Sequence, residues 1–370
     1  MTSLSPGGKI GKLGFGYLRL PKTDGKPDHA LINKMVDRFL SSGGTYFDTA
    51  YVYDGSEVAL RDTVVKRHPR ESFKLATKLQ IDVVGPEMSM EDILNTSLER
   101  LGTEYIDSYL IHGINAKSNQ KAEKLSAWNH LVKLKAQGRI RHMGFSFHGP
   151  PEDLDEILQK HPEAEFVQLQ LNYFDWENPK VQSRRLYEIA REHNKPIIVM
   201  EPLLGGKLAS TDSPAAELFF KADPNASPAS WGLRFVAGLE GVIMTLSGMS
   251  SYEQMTDNIA TFTNFSPLTK DERSVIDKAA GILRSVPRVG CTQCNYCKDC
   301  PSNIHIPMLI DVYNDFLIHK TTTNLDRFYY LATVGSGKAL DCIACGACER
   351  ICPQSLPIVE TMANISKMFD

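Results

Sequence analysis

Residues 45–57 read TYFDTAYVYDGSE. An apolar run, Thr45, Tyr46 and Phe47, stops at Asp48, and a loop follows with Tyr53 five residues on. An Asp-Gly turn then leads into new helix-like sequence. This is a strand ending in an acid and a phenol, and the pattern recurs along the chain. Helix Glu57 to His68 leads to strand Phe73 to Lys78, Met90 to Leu101 to Ile106 to His112, and Lys124 to Gln137 to Arg141 to Ser146. Pro151 to Lys160 leads to Phe166 to Asn172, Lys180 to His193 to Pro196 to Met200, and Pro228 to Ala237 to Gly241 to Leu246. At the start, a glycine-rich strand, GKLGFGYLRLP from Gly11 to Pro21, is expected to end at Arg19, ahead of a helix from about His29 to Ser42.

Alternating strands and helices give a parallel sheet with crossover helices, and eight such units close a (β/α)8 TIM barrel. The alternative, a doubly wound sheet, wants a glycine-rich phosphate turn after its first strand, and Gly11, Gly14 and Gly16 do not supply that fingerprint. At 370 residues there is room for a barrel of about 250 residues and a further module. The formal charge of -3, with no basic tail or stripe, argues against nucleic acid as a partner. No 18-residue apolar run and no charged-then-apolar leader is present, so a cytoplasmic protein with no membrane partner is expected.

In a barrel the C-terminal ends of the strands carry the chemistry. Asp48, Tyr53, Lys78 and His112 end or follow the second, third and fourth strands, so they converge on one corner of the mouth. A free phenol with a pKa near ~10 is a poor acid at neutral pH and needs a cation beside it. Lys78, held by Asp48, is that cation, Tyr53 gives or takes the proton, and His112 orients a carbonyl oxygen. This is equipment for interconverting a small carbonyl compound and an alcohol by hydride transfer. Substrate choice is expected to lie in the mouth loops Asn115 to Glu123 and Leu208 to Ser227. His148, just beyond Ser146, is expected to face solvent.

All eight cysteines lie after residue 290, in CTQCNYCKDCP and CIACGACERICP. The second run, Cys342, Cys345, Cys348 and Cys352 before Pro353, fits the ferredoxin spacing C-x2-C-x2-C-x3-C-P. The first, Cys291, Cys294, Cys297 and Cys300 before Pro301, is one residue short before its last cysteine. Where two cubane clusters are bound, the fourth ligand of each comes from the other run. That gives Cys291, Cys294, Cys297 and Cys352 for one [4Fe-4S] cluster and Cys342, Cys345, Cys348 and Cys300 for the other. Zinc is the alternative, because paired C-x2-C units also bind it. The expected division is a barrel over 1–265, a connecting helix over 266–287 and a mostly helical ferredoxin-like domain over 288–370, with helices across Ile306 to Leu340.

The first 265 residues resemble the aldo-keto reductase family. The resemblance rests on LGFGYLRLP (Leu13 to Pro21), FDTAYVYDGSE (Phe47 to Glu57), ATK (Ala76 to Lys78), YLIHG (Tyr109 to Gly113) and GRIRHMGFS (Gly138 to Ser146). It rests too on VQLQLN (Val167 to Asn172), EPLLGGKL (Glu201 to Leu208) and SGMSSYEQMTDN (Ser247 to Asn258). With the cysteine-rich end, the whole is similar to the iron-sulfur branch of that family. The resemblance implies an Asp48, Tyr53, Lys78, His112 tetrad with Tyr53 as general acid, and NAD(P)H across the barrel mouth. Ser146 and Gln168 match carboxamide contacts, Pro202, Leu203, Gly205, Gly206 and Lys207 the turn after the seventh strand, and Ser247, Gly248, Met249, Ser250, Gln254 and Asn258 a phosphate and adenosine loop. The chain departs from the pattern at Phe147 (usually asparagine), Met200 (usually an aromatic), Glu201 (usually serine) and at Ser250 or Gln254 (often arginine). Glu201 near a pyrophosphate would repel it. A flavin such as FMN, its phosphate at Gly205-Gly206 or near Ser250, is therefore an alternative cofactor, since one-electron clusters do not exchange a hydride directly. A ferredoxin-like protein or another redox partner is then the expected electron carrier, and a non-catalytic redox sensor is a third reading.

Overall fold

The computed structural model describes residues 10–179, 181–213, 215–285, 287–319 and 325–369. The leader before Ile10, Lys180 at the start of an expected helix, and residues 320–324 within Ile306 to Leu340 lie outside the described residues. The chain divides into two compact units, one of residues 1–203 and 218–276, the other of residues 204–217 and 277–370. The division falls inside helix Lys270–Ser285.

The first unit is a closed barrel of eight parallel strands. They are β1 (Leu13–Gly16), β2 (Tyr46–Asp48), β3 (Lys74–Leu79), β4 (Ile106–Ile114), β5 (Ile140–Phe147), β6 (Phe166–Gln170), β7 (Ile197–Met200) and β8 (Val242–Ser247). Each pairs with its neighbours in chain order, and β1 closes on β8. The strands read as near-continuous apolar runs because both faces are covered, one by the barrel interior and one by helices. Tyr46, Ala76, Leu110, Phe166, Ile198, Met244 and Leu246 form one buried interior layer.

The helices are α1 (His29–Ser41), α2 (Ser56–Leu60), α3 (Met90–Leu101), α4 (Ala127–Ala136), α5 (Pro151–Lys160), α6 (Ser183–Glu192), α7 (Pro228–Ala237) and α8 (Tyr252–Thr263). Their starts follow local chemistry. Ser89 and Asp92 form a reciprocal capping box on α3, and Asp28 caps α1 by accepting from the Leu31 amide. Three local readings differ from expectation. The first strand stops at Gly16 and a tight 3-10 turn, Tyr17–Arg19, carries the chain on, because Tyr17 turns inward to bond Thr63. The helix after Tyr53 widens at Arg61–Val65 into a turn with Lys66 N bonded to Arg61 O. The segment after β4 is a short helix, Ala116–Lys124, with its own cap at Asn115, so it is not an irregular loop.

The second unit is helical around the two cysteine runs. Its helices include Ile306–His319, Leu325–Thr333, Ala347–Ile351 and Ile358–Phe369. Its core is small: Ile304, Ile306, Leu309, Ile310, Tyr329, Ala339, Ile358, Met362 and Ile365 are buried together with Cys291. Among the described residues no helix is long and apolar enough to cross a membrane.

Candidate active site and cysteine cavities

β2 and β3 are adjacent with Asp48 opposite Ala76, so Lys78, two residues further along β3, reaches past the end of β2. Lys78 is fully buried. Its ammonium donates to Asp48 Oδ2 at 2.8 Å and to the Thr49 carbonyl at 2.6 Å. Burial pushes the Asp48 carboxyl above its ordinary value, and the adjacent Lys78 charge opposes that rise. The ammonium also lies 5.1 Å from the centre of the Tyr53 ring. The Tyr53 and His112 rings meet edge to face, centroids 5.9 Å apart at 80°. All four predicted residues therefore occupy one corner of the mouth.

His112 owes its direction to a feature the sequence pattern concealed. β4 was expected to end there, yet it runs on to Ile114 through a register shift against β5 between Ile111 and Ile114. Gly113 sits at φ +64, in the left-handed region open to glycine, and its amide donates to Ser146 Oγ at 2.9 Å. Such bulges re-aim a side chain beside a site. Burial, then the Lys78 charge, then His148, hold the His112 imidazole well below its ordinary value, so it is neutral at pH 7. His148 is half-buried rather than solvent-facing, and burial pushes its pKa down to about 4.

A supporting layer was also missed. Glu57 is buried, accepts from Thr77 Oγ1 at 2.7 Å, and is paired with Arg100 at 3.3 Å. Thr77 precedes Lys78, so Glu57 fixes the strand that aims the ammonium. The signal was present in the stretch quoted first, as a carboxylate one turn beyond the Asp-Gly corner.

The residues expected to hold a cofactor divide into three groups. Ser146 and Gln168 face each other across β5 and β6, both buried. Gln168 Nε2 contacts Met200 Sδ at 3.6 Å, while its Oε1 has no hydrogen-bond partner. A buried carboxamide oxygen without a donor is a place for a ligand amide, which fits a nicotinamide. After β8, Asn258 Nδ2 donates to Ser247 Oγ at 3.0 Å, and Gln254 Oε1 accepts from the Ser250 amide at 2.8 Å. Met249 is buried, and Gly16 lies in ordinary contact with the Ser247 backbone, where a Cβ would stand 3.5 Å from the carbonyl. Glu201 does not present a bare charge, because it is paired with Arg19 at 3.4 Å. Pro202 and Leu203 follow it in the turn, with Leu203 against Gly232.

Gly205, Gly206 and Lys207 follow in a segment grouped with the second unit. Residues 204–217 are part of the second unit, where Lys207 is paired with Asp311 at 3.4 Å. The two glycines have φ +66 and +93 and serve the turn into that segment.

In the second unit none of the eight cysteines is in a disulfide. The two runs share one backbone path. Gln293 and Asn295 flank Cys294 in left-handed conformation (φ 56 and 66), and Ala344 and Gly346 flank Cys345 in the same way (φ 53 and 67). These turns curl each loop around a hollow; the Gln293 amide donates to Cys291 Sγ at 3.4 Å. One cavity of about 180 Å³ is lined by Cys297, Cys300, Cys342, Cys345 and Cys348. A smaller one is lined by Cys291, Cys294, Cys297 and Cys352. Among the described residues no group of three or more Cys, His, Asp or Glu converges as a single ion requires. Burial and the neighbouring Cys294, Cys291 and Cys352 push the Cys297 thiol up to about 12.

A profile of the aldo/keto reductase family matches residues 12–280. The chain belongs to the aldo/keto reductase family. It is an oxidoreductase with an appended iron-sulfur module, for a 4Fe-4S dicluster domain matches residues 290–356. An aldo-keto reductase of Mycolicibacterium vanbaalenii is 32% identical over 240 residues, covering 64% of this chain and 79% of that protein. A 9,11-endoperoxide prostaglandin H2 reductase of Trypanosoma cruzi is 28% identical over 276 residues, covering 73% and 88%. Among solved structures, an aldo-keto reductase from Klebsiella pneumoniae in complex with NADPH shares the fold, with a TM-score of 0.58, 21% identity, and coverage of 72% of this chain and 90% of that one.

Proposed function

We propose that this reductase interconverts a small carbonyl compound and its alcohol at the Tyr53 corner, with NADP(H) bound across the mouth and two [4Fe-4S] clusters exchanging electrons with an external carrier. The observation that carries the reading is the buried Lys78 ammonium, held at 2.8 Å by Asp48 beneath the Tyr53 ring. A nicotinamide, when bound, supplies or accepts a hydride at the carbonyl carbon. Everything else falls to the chain. Tyr53 passes its phenolic proton to the carbonyl oxygen, giving the alcohol and a phenolate. A cation about 5 Å away stabilises that phenolate by about 3 kcal/mol at an effective dielectric near 20. His112, neutral, orients the oxygen by hydrogen bond without contributing a competing charge. Gln168 and Ser146 position a carboxamide, and Ser247 to Asn258 hold the adenosine end; the Klebsiella pneumoniae structure carries NADPH on the same fold.

The cross-run quartets Cys291, Cys294, Cys297, Cys352 and Cys342, Cys345, Cys348, Cys300 would each hold a cluster, which moves one electron when bound. The hydride and the Tyr53 proton complete a carbonyl reduction by themselves, so in this reading the clusters would exchange their electrons with an external carrier. The dicluster domain favours a second reading as well: a flavin in the barrel would split the hydride that single-electron centres cannot take.

The test is an anaerobic absorbance spectrum of the iron-loaded protein, before and after NADPH and then a panel of aldehydes and ketones. NADPH oxidation dependent on carbonyl, with no releasable flavin, supports the first reading. A releasable flavin supports the second, and a protein with neither carbonyl-dependent NADPH oxidation nor a releasable flavin contradicts both.

A further inference from the structure

Reduction places one more negative charge on a cluster already held by thiolates, so its ease depends on how the surroundings tolerate that charge. Solvent exposure, hydrogen bonds to sulfur and fixed charge nearby are the terms that decide it. The two cysteine quartets differ in the first. Cys291 is only 8% exposed, in a core with Ile304, Ile306, Leu309 and Ile310, whereas Cys345 of the second run is exposed. Water screens an added electron at the second quartet, but at the first it is largely excluded, and burial alone makes that cluster the harder one to reduce.

The chain places a cation at the enclosed end. Helix Ile306–His319 lines the first cavity with Ile306, Pro307 and Ile310. Further along it, Asn314 Nδ2 donates to the Val289 carbonyl at 2.9 Å and its Oδ1 accepts from the Val289 amide at 2.6 Å, which pins the segment entering Cys291 to the helix. Asp311 lies one turn before Asn314 and next to Ile310, and it accepts from Lys207 Nζ at 3.4 Å. Both members of this pair belong to the second unit. The Lys207 charge favours negative charge on Cys291 Sγ, and does so more strongly than Asp311 opposes it, which puts the positive end of the pair nearer the sulfur. The Gln293 amide, donating to Cys291 Sγ at 3.4 Å, works in the same sense. At the second quartet the fixed charge is of the other sign, since Glu349 disfavours negative charge on Cys348.

We propose that Lys207, anchored by Asp311, is the charge that lets the enclosed cluster of Cys291, Cys294, Cys297 and Cys352 accept an electron. The inference rests on the two-cluster reading above. One electron passes from an external one-electron donor, which is oxidised, to the cluster, which gains one negative charge; no bond to Lys207 forms or breaks. Lys207 acts through its field on the cluster and is a positioning residue for charge, not a ligand.

The experiment titrates the full-length, iron-loaded protein anaerobically with dithionite and redox mediators. Electron paramagnetic resonance follows the reduced clusters in wild type, Lys207→Met, Lys207→Arg and Lys207→Glu, and the signal missing from Cys352→Ala marks the first-run cluster. Lys207→Met is expected to shift the reduction equilibrium of that cluster at least about fivefold toward the oxidised form, about 40 mV for a one-electron couple. Lys207→Glu is expected to shift it further the same way, and Lys207→Arg to stay within about twofold of wild type, with the other cluster moved by less than about twofold throughout. At equal iron content, a first-run potential that does not follow the charge at position 207, or equal shifts in both clusters, overturns the inference. Loss of the first-run cluster from all three variants also overturns it and leaves Lys207 a structural residue. Wild type that holds no iron-sulfur cluster contradicts the two-cluster reading itself, and the role of Lys207 with it.

Discussion

The Lys78 corner of the barrel and the cysteine loops of the second unit both bury groups that water would otherwise solvate, yet they resolve the cost differently. At the corner, the ammonium has its carboxylate at 2.8 Å and a carbonyl at 2.6 Å, and the surrounding strands close a continuous hydrogen-bonded ladder. In the second unit the sulfurs surround hollows, and burial and mutual proximity raise the thiol pKa of Cys291, Cys297 and Cys348. One region meets its buried charge with groups of its own chain; the other turns its sulfurs toward a ligand. Size reinforces the contrast, because a unit of roughly 100 residues with a thin core draws on metal for folding energy in a way that a barrel does not.

The contrast breaks most sharply at the cysteines. Cys352→Ala is expected to remove the cluster of the first run, and Cys300→Ala that of the second. Each would lower bound iron from about eight atoms per chain to about four. Iron analysis and electron paramagnetic resonance of the reduced protein check this. Loss of the same-run cluster in both variants would show that each run closes its own site, and the short spacing before Cys300 would then be no obstacle.

The next effect is on the barrel. Lys78→Met strands Asp48 buried without its cation, and breaking such a pair costs about 3–5 kcal/mol. All three tryptophans, Trp128, Trp176 and Trp231, lie in the first unit, so urea unfolding followed by tryptophan fluorescence reports on the barrel. A loss under about 1 kcal/mol would mean that the corner is looser than its distances imply.

A smaller effect concerns pH. Burial depresses His148 to about 4 and His112 well below its ordinary value. The unfolded chain therefore binds protons at these sites, near pH 6.5, that the folded barrel refuses. Their contribution to stability is full above that pH and is lost as pH falls from about 6.5 toward 4. His148→Gln, which cannot titrate, is expected to flatten this decline in barrel stability measured between pH 7 and 5. An unchanged slope would place His148 in contact with water.

Much of the barrel was legible because apolar runs break off at polar residues, as at Asp48 and Asn172, and some helices carry a start signal, as at Asp28 and Ser89. Asp48, Tyr53, Lys78 and His112 were legible for the same reason. What escaped depended on contacts between distant segments. The bulge at Gly113 is a register event between β4 and β5, and nothing in YLIHG alone announces it. Glu201 read as a repelling charge because Arg19, 182 positions earlier, is its partner. Lys207, in the Gly205-Gly206-Lys207 turn, is paired with Asp311, 104 positions later.

The most direct test of the central claim is the rate of carbonyl-dependent NADPH oxidation by Tyr53→Phe, measured anaerobically beside wild type at equal iron content. Loss of the proton donor is expected to lower kcat by about 10²–10⁴ while NADPH affinity holds within about twofold. Equal turnover by the two proteins would contradict the assignment of Tyr53 and, with it, the reading of this corner as the catalytic site.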